Sequence, residues 1–292
     1  RLVLRRKWDG AELLRLIDEA EITTVYAVPT HFTRLLKLPH ETRAAFDGSS
    51  LRYVVHTAAP CPPDVKHQMI DWWGPVIHEL YGASEGGIGV GFMCNSEEWL
   101  AHPGTVGKAL PTTGVHVFDK EGNELGPNEV GQIYVRNLLG GDFEFLGDEE
   151  KTSSVHKEPG LFTYGDIGHV DDAGFLFLSD REIDMIISGG VNIYPAEIEA
   201  VLMVHPLVDD ASVFGVPNDE FGEEVKAAVE LVDGADPQAA EFELRNLCRE
   251  KLAGYKCPRS VDVVAEMPRT GTGKILKRDL RAPYWADTGR TI

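Results

Sequence analysis

DREIDMIISGGVNIYPAEIE, residues 180–199, decides how the rest of the chain is read. It packs a charged pair (Asp180, Arg181), a short apolar strand, a Gly189–Gly190 turn and a helix opening at Pro195 into twenty residues with no filler. Paired glycines leave a backbone that a ligand can approach closely, because no Cβ stands in the way. Proline suits the first turn of a helix, and Glu197 and Glu199 suit its positive end. Working outward, the pattern after Arg181 predicts a helix over 195–204, strands over 211–216 and 224–232, a helix over 237–253, a strand over 260–266 and a basic tail. That is an α+β unit, residues 181–292. Upstream, GVHVFDKEGNELGPNEVGQIYVR holds strands broken by Gly, Asn and Pro turns with almost no helix signal, which predicts a small β-barrel subdomain over 103–180. Further upstream, Leu13, Leu14 and Ile17 mark a helix face. Strands over 24–28, 52–56 and 76–80 then alternate with helices over 30–38 and 63–73. Such alternation predicts a parallel α/β layer over 1–102.

Composition bounds the function. At 292 residues, with 43% hydrophobic and 26% charged side chains, the chain reads as a soluble globular protein of two or three structural units. A net charge of −19 excludes nucleic acid and anionic membrane surfaces as partners. Residues 251–281 run against this trend: eight Lys or Arg against Asp262, Glu266 and Asp279 give a local charge of +5. The four cysteines (Cys61, Cys94, Cys248, Cys257) show no CxxC pair or metal-like spacing, which points to a reduced, cytoplasmic protein. No apolar run approaches membrane-spanning length, and the start, RLVLRRKWDG, lacks the apolar core of a signal peptide. The chain begins without Met and reads as a fragment.

Three further segments carry chemistry. Tyr81-Gly-Ala-Ser-Glu-Gly-Gly87 follows the strand VIHEL, and a strand entering a glycine-rich turn at the carboxyl edge of an α/β sheet is where ligands bind. Tyr81 offers a flat face, Ser84 a hydroxyl and Glu85 a carboxylate able to hold Mg²⁺. A dinucleotide fingerprint fails here, because GxGxxG needs glycine at 92 and Phe92 stands there. In Phe162-Thr-Tyr-Gly-Asp-Ile-Gly168, Asp166 has the setting of a carboxylate that accepts from vicinal hydroxyls, although a turn aspartate is the commoner explanation. Pro268-Arg-Thr-Gly-Thr-Gly-Lys-Ile275 places a lysine beside glycines, as a phosphate cradle does, yet Pro268 and Ile275 break the Walker pattern.

The order TAAPCPP (57–63), YGASEGG, GQIYVR, YGDIG, DREIDMIISGGVNIYPAEIE, PRTGTGKILKRDLR resembles the adenylate-forming superfamily, specifically the acyl-CoA synthetases, along essentially the whole chain. The resemblance implies a partial large N-terminal α/β domain, the β-barrel subdomain and a mobile C-terminal domain. It implies ATP, Mg²⁺ and coenzyme A, with a small-molecule carboxylic acid as substrate. By that resemblance Ala58, Ala59, Pro60 and Tyr81 hold the adenine, Gly82 belongs to the nucleotide site, and Ser84 and Glu85 meet the phosphates and metal. Asp166 binds the ribose hydroxyls with Arg181, Asn192 lies near the nucleotide, and Lys274 is the catalytic lysine. Ser188, Gly189 and Gly190 line the pantetheine tunnel. His31, Phe32, Gly86 and Gly87 fall where the family walls its acyl pocket, His31 being equally readable as a packing or capping residue.

Two departures stand out. Ile183 occupies the family's swivel position, which normally carries Asp or Lys, while Asp184 beside it matches. The loop that grips the outer phosphates belongs upstream of Arg1. These leave open a catalytically impaired remnant or a nucleotide-binding module, as well as acyl transfer to a carrier-protein thiol. Acyl length is open, and so is a homo-oligomer.

Overall fold

Prolines start four of the helices, at Pro29, Pro63, Pro195 and Pro237, where the missing N–H costs nothing and the fixed φ favours the first turn. The computed structural model describes residues 2, 3, 8–87, 89–270 and 274–286. Gly271 and Gly273 of the lysine loop therefore lie outside the described residues. Chain contacts divide into two units: residues 1–164 with 168–178, and residues 179–292 with 165–167.

The first unit opens with α1 (Gly10–Glu19), β1 (Thr24–Ala27), α2 (Pro29–Leu36), α3 (His40–Ala44), β2 (Tyr53–His56), α4 (Pro63–Trp73) and β3 (Ile77–Tyr81). Asp9 caps α1 by accepting from the Glu12 N–H at 2.8 Å, and Leu14 and Ile17 face inward as their spacing predicts. β1, β2 and β3 pair in parallel, with Ala27 opposite His56 and His56 opposite Glu79. Their carboxyl ends therefore release residues 28–32, 57–60 and 82–87 along one edge of the sheet. Phe32, Val54, Met69, Ile77 and Trp99 are the heart of this core.

β4 (Phe92–Cys94), α5 (Ser96–Ala101), β5 (Gly107–Ala109), β6 (Thr113–Phe118), β7 (Gly131–Asn137), α6 (Glu149–Val155), β8 (His156–Glu158), β9 (Leu161–Val170) and β10 (Phe175–Arg181) follow. A reciprocal cap between Asn95 and Glu98 starts α5. The expected β-rich stretch is present, but its strands extend the first sheet in the order β1-β2-β3-β4-β5-β10-β9-β7-β6, with β8 on β9. Among the described residues this path keeps two ends and closes no barrel. Gly107 makes the join feasible: a Cβ there would lie 2.1 Å from the Met93 carbonyl carbon, so only glycine lets β5 pass so close.

The second unit contains β11 (Ile186–Ser188), β12 (Val191–Ile193), α7 (Pro195–Met203), β13 (Val208–Asn218), β14 (Gly222–Leu231), α8 (Pro237–Lys251), β15 (Ser260–Val264) and α9 (Lys277–Trp285). Its sheet runs β12-β11-β14-β13, with β15 also on β14. Ile186, Ile198, Leu202, Val213, Val229 and Leu244 fill the core between sheet and helices. The stretch expected as strand, turn and helix contains one element more. Gly189 and Gly190, at φ 58° and 81°, make a two-residue hairpin turn joining β11 to β12 before the helix begins. The basic tail likewise becomes α9, held by Trp285, whose indole N–H donates to the Gly215 carbonyl at 3.0 Å. Among the described residues no helix is long and apolar enough to cross a membrane.

Candidate functional site

In the first unit, β3 ends at Tyr81 and the chain makes a single 3-10 turn over Ser84–Gly86. Tyr81 packs at 5.5 Å from Phe92 and 6.2 Å from Tyr164. Gly86 is buried, and a Cβ on it would sit 2.0 Å from the Tyr164 hydroxyl and 2.9 Å from Val90 Cβ. Gly87 turns at φ 59° with open space around it. Ser84 is exposed and Glu85 half-buried, and the Glu85 carboxylate makes no hydrogen bond or ion pair with a described residue. A lone carboxylate with free oxygen lone pairs suits Mg²⁺, which typically takes one or two protein carboxylates and completes its shell with water and phosphate.

Across the parallel pair, Thr57–Pro60 leaves β2 beside this turn. Ala58 lies at φ 77°, a left-handed conformation that strains a residue with a Cβ, and Ala58, Ala59 and Pro60 are all exposed. Residues held in such strain cluster at ligand sites. His31 and Phe32 have other employment. His31 Nδ1 accepts from the Val28 N–H at 3.4 Å, capping α2, and its ring stacks on Trp8 at 4.8 Å. Burial, with help from Arg34, lowers its pKa to about 4, so it is neutral at physiological pH. Phe32 has no exposed surface and packs edge-on against His56 and Trp73.

The second unit gathers the other half of the sequence-derived site residues. Arg181 Nε lies 3.5 Å from Asp166 Oδ1, joining the end of β10 to the middle of β9. Lys274 is exposed and makes no ion pair with a described residue, yet its ammonium senses this pair. Partial shielding of the ammonium from water and the Arg181 guanidinium lower its pKa, while Asp184 and Asp166 pull the other way. Lys274 is tied at its backbone: its N–H donates to Thr270 Oγ1 at 3.1 Å, and its carbonyl accepts from the Thr270 N–H at 2.8 Å. Asn192 pairs with Ile187 in the β11–β12 hairpin and is exposed, as are Gly189 and Gly190 at the tip. The Gly189 N–H donates to the Phe221 carbonyl at 2.8 Å, fixing that tip to the start of β14. Ile183 is 71% exposed, and its carbonyl accepts from Arg281 at 3.1 Å.

Sequence reasoning missed what anchors this half. Lys277 Nζ bonds Glu199 Oε1 at 2.8 Å, and the same oxygen accepts from the Val213 N–H at 2.7 Å. Asp180 accepts from the N–H groups of Arg181 (2.7 Å) and Ala196 (2.8 Å), the latter in the first turn of α7. Burial acts to lower Lys277, but Glu199, Asp180 and Asp184 overcome it and the pKa rises. The local excess of basic residues is spent in the same way. Lys256 meets Glu197 at 2.6 Å, Arg269 meets Asp210 at 2.6 Å and Arg259 meets Glu224 at 3.7 Å. An anion therefore does not see the whole +5 segment.

Comparison with known proteins follows the same division. Residues 1–139 match the model of the AMP-binding enzymes, and residues 197–274 match the model of the AMP-binding enzyme C-terminal domain. The chain belongs to the AMP-binding, adenylate-forming enzymes. A long-chain-fatty-acid–CoA ligase of Bacillus subtilis is 35% identical over 284 residues, covering 96% of this chain and 49% of the relative. The amide bond synthetase McbA of Marinactinospora thermotolerans matches in structure with a TM-score of 0.81 at 32% identity, covering 96% of this chain and 57% of that one. The o-succinylbenzoate CoA synthetase of Bacillus subtilis, solved with its acyl-adenylate intermediate, matches with a TM-score of 0.79 at 28% identity, covering 95% and 54%. This adenylate-forming chain thus spans about half the length of the relatives it matches.

Proposed function

We propose that the protein is an acyl-CoA synthetase: it activates a carboxylic acid with ATP as an acyl-adenylate and passes the acyl group to the thiol of coenzyme A. The observation that carries this reading is the grouping of Lys274, Arg181 and Asp166 in the second unit of an adenylate-forming chain. In the first half-reaction a carboxylate oxygen bonds to the α-phosphorus of ATP and pyrophosphate leaves. Negative charge gathers on the α-phosphate oxygens, and a fixed ammonium offsets it far better in a water-poor site than in solution. Lys274 is the group assigned to this task. Asp166 accepts from the ribose hydroxyls, and Arg181, 3.5 Å away, orients that carboxylate. Ala58, Ala59, Pro60 and Tyr81 with Gly82 offer backbone and ring surface to adenine. Ser84 donates to phosphate, and Glu85 would hold Mg²⁺, which when bound neutralises part of the phosphate charge. In the second half-reaction the thiol sulfur bonds to the acyl carbonyl, AMP leaves and the thiol proton passes to solvent. The open hairpin tip at Ser188, Gly189 and Gly190, with Asn192 beside it, is the surface assigned to phosphopantetheine. His31 and Phe32, engaged in capping and core packing, are left out of the acyl pocket.

The test is to supply ATP, Mg²⁺, CoA and a panel of carboxylic acids and to follow AMP, pyrophosphate and acyl-CoA. Wild-type protein should form all three in equal amounts with its preferred acid. Lys274→Ala should lose acid-dependent ATP–pyrophosphate exchange yet convert supplied acyl-AMP to acyl-CoA. Equal loss of both half-reactions would refute the role given to Lys274. The likeness to an amide bond synthetase supports a second acceptor class, an amine. Products formed from acid and ATP with an amine present and CoA omitted separate the two.

A further inference from the structure

The loop 57–62, between β2 and α4, is anchored on its α4 side to one Glu79 oxygen of β3. His56, the residue before it, places Nε2 3.6 Å from Glu79 Oε2, and Lys66, in the first turns of α4, places Nζ 2.5 Å from the same oxygen. All three side chains are buried, His56 and Lys66 with no exposed surface. The Trp99 ring lies 4.9 Å from the Lys66 ammonium. Neither ring nitrogen of His56 finds a hydrogen-bond partner among the described residues, and burial with the Lys66 ammonium holds its pKa well below the ordinary value. Burial pushes the Glu79 carboxyl up, and Lys66 pulls it back.

An ionisable pair withdrawn from water adds little net stability, since apolar residues of the same volume serve as well or better. Its use lies in where it sits. Glu79 is two residues before Tyr81 on β3, and the anchored loop contains Ala58 in its left-handed conformation, which persists only if the surroundings over-determine it. We infer that Lys66 and Glu79 are positioning residues, a buried polar clasp that ties the α4 end of loop 57–62 to β3 just ahead of the Tyr81–Gly87 turn and so holds the loop for a purine base. The assignment of a purine rests on the nucleotide reading above; the clasp itself does not.

Cys61, half-buried within the anchored loop, allows the two to be tested apart. The variants are Lys66→Met/Glu79→Leu, which removes both charges and keeps the volume, and Glu79→Gln, which keeps the site polar. Burial and Glu79 raise the Cys61 thiol while Lys66 lowers it less, so the variants shift its reactivity by themselves. Labelling rates are therefore compared at equal thiolate fraction from each variant's own pH–rate profile, where they report loop exposure. Rates with an aromatic disulfide reagent are read by peptide mass spectrometry, and AMP and ribose 5-phosphate affinities by calorimetry. The folded double variant should label at Cys61 about tenfold faster with Cys248 unchanged, and should lose about tenfold in AMP affinity while ribose 5-phosphate binding holds within about twofold. Wild-type Cys61 rates together with a wild-type ratio of AMP to ribose 5-phosphate affinity in that variant would overturn the clasp. Should the wild-type protein bind no AMP, the nucleotide reading falls and the Cys61 rates alone decide. Should the double variant not fold, the same readings on Glu79→Gln decide.

Discussion

Replacing Lys277 by Met removes the cation that two carboxylates share while keeping most of the side chain's bulk. Its ammonium bonds Glu199 at 2.8 Å, with 20% and 21% of the two side chains exposed. Removing one partner of a fully buried pair costs about 3–5 kcal/mol, whereas a surface pair contributes about 0–1 kcal/mol. With a fifth of each side chain in contact with water, the loss should be about 2–3 kcal/mol, or roughly 6–12 °C in the melting temperature of a unit this size. Urea unfolding followed by circular dichroism, at several pH values, measures it. Glu199 and Asp180 are raised above their ordinary values by burial even with Lys277 present, and Lys277 lowers both. A carboxyl raised in the folded state destabilises at high pH, and that destabilisation fades as pH falls through the raised value. Without the cation both carboxyls rise further, so the deficit should be full at pH 7 and shrink towards pH 5. Lys277→Met/Glu199→Leu should recover most of it. A deficit under about 0.5 kcal/mol, or one that does not shrink in acid, would refute the claim that Lys277 balances these carboxylates.

Gly86→Ala forces the Tyr164 hydroxyl and Val90 apart, because the new methyl would sit 2.0 Å and 2.9 Å from them; it should cost about 1–3 kcal/mol in urea unfolding and disturb the Tyr81 turn. Competitive amine labelling across pH should find Lys274 titrating below an ordinary lysine, and Arg181→Gln should move that midpoint upward by removing a neighbouring positive charge. An unchanged midpoint would show that the Lys274 ammonium does not sense Arg181.

Much of this architecture is legible in the chain itself. The parallel strands, their helices and the α+β order after Arg181 follow from local periodicity and from prolines and glycines at element ends. The hairpin at Gly189–Gly190 escaped because three residues of β12 are too few to show alternation before Pro195. α9 escaped because KRDLRAPYW is polar and carries Pro283, and what holds it is distant: Trp285 on Gly215, and Leu280 against the cluster of Phe214 and Met267. Strand patterns announce a β-rich stretch but not which edges meet, so the joining of β5 to β10 had no local signal. The site shows the same limit. Motif order marks Asp166, Arg181 and Lys274, but Lys66 and Lys277 look like any helix lysine until Glu79 and Glu199 arrive from elsewhere in the chain.

The Asp180 carboxylate laces seventeen residues into a closed ring, one oxygen tied to the neighbouring amide and the other to the amide of Ala196. Everything threaded on that ring, from Arg181 through the glycine hairpin to the mouth of α7, is thereby coupled mechanically, so a tug on the arginine is felt at the hairpin. An asparagine in place of Asp180 has one acceptor oxygen where the carboxylate has two, and the ring would hang open at one end.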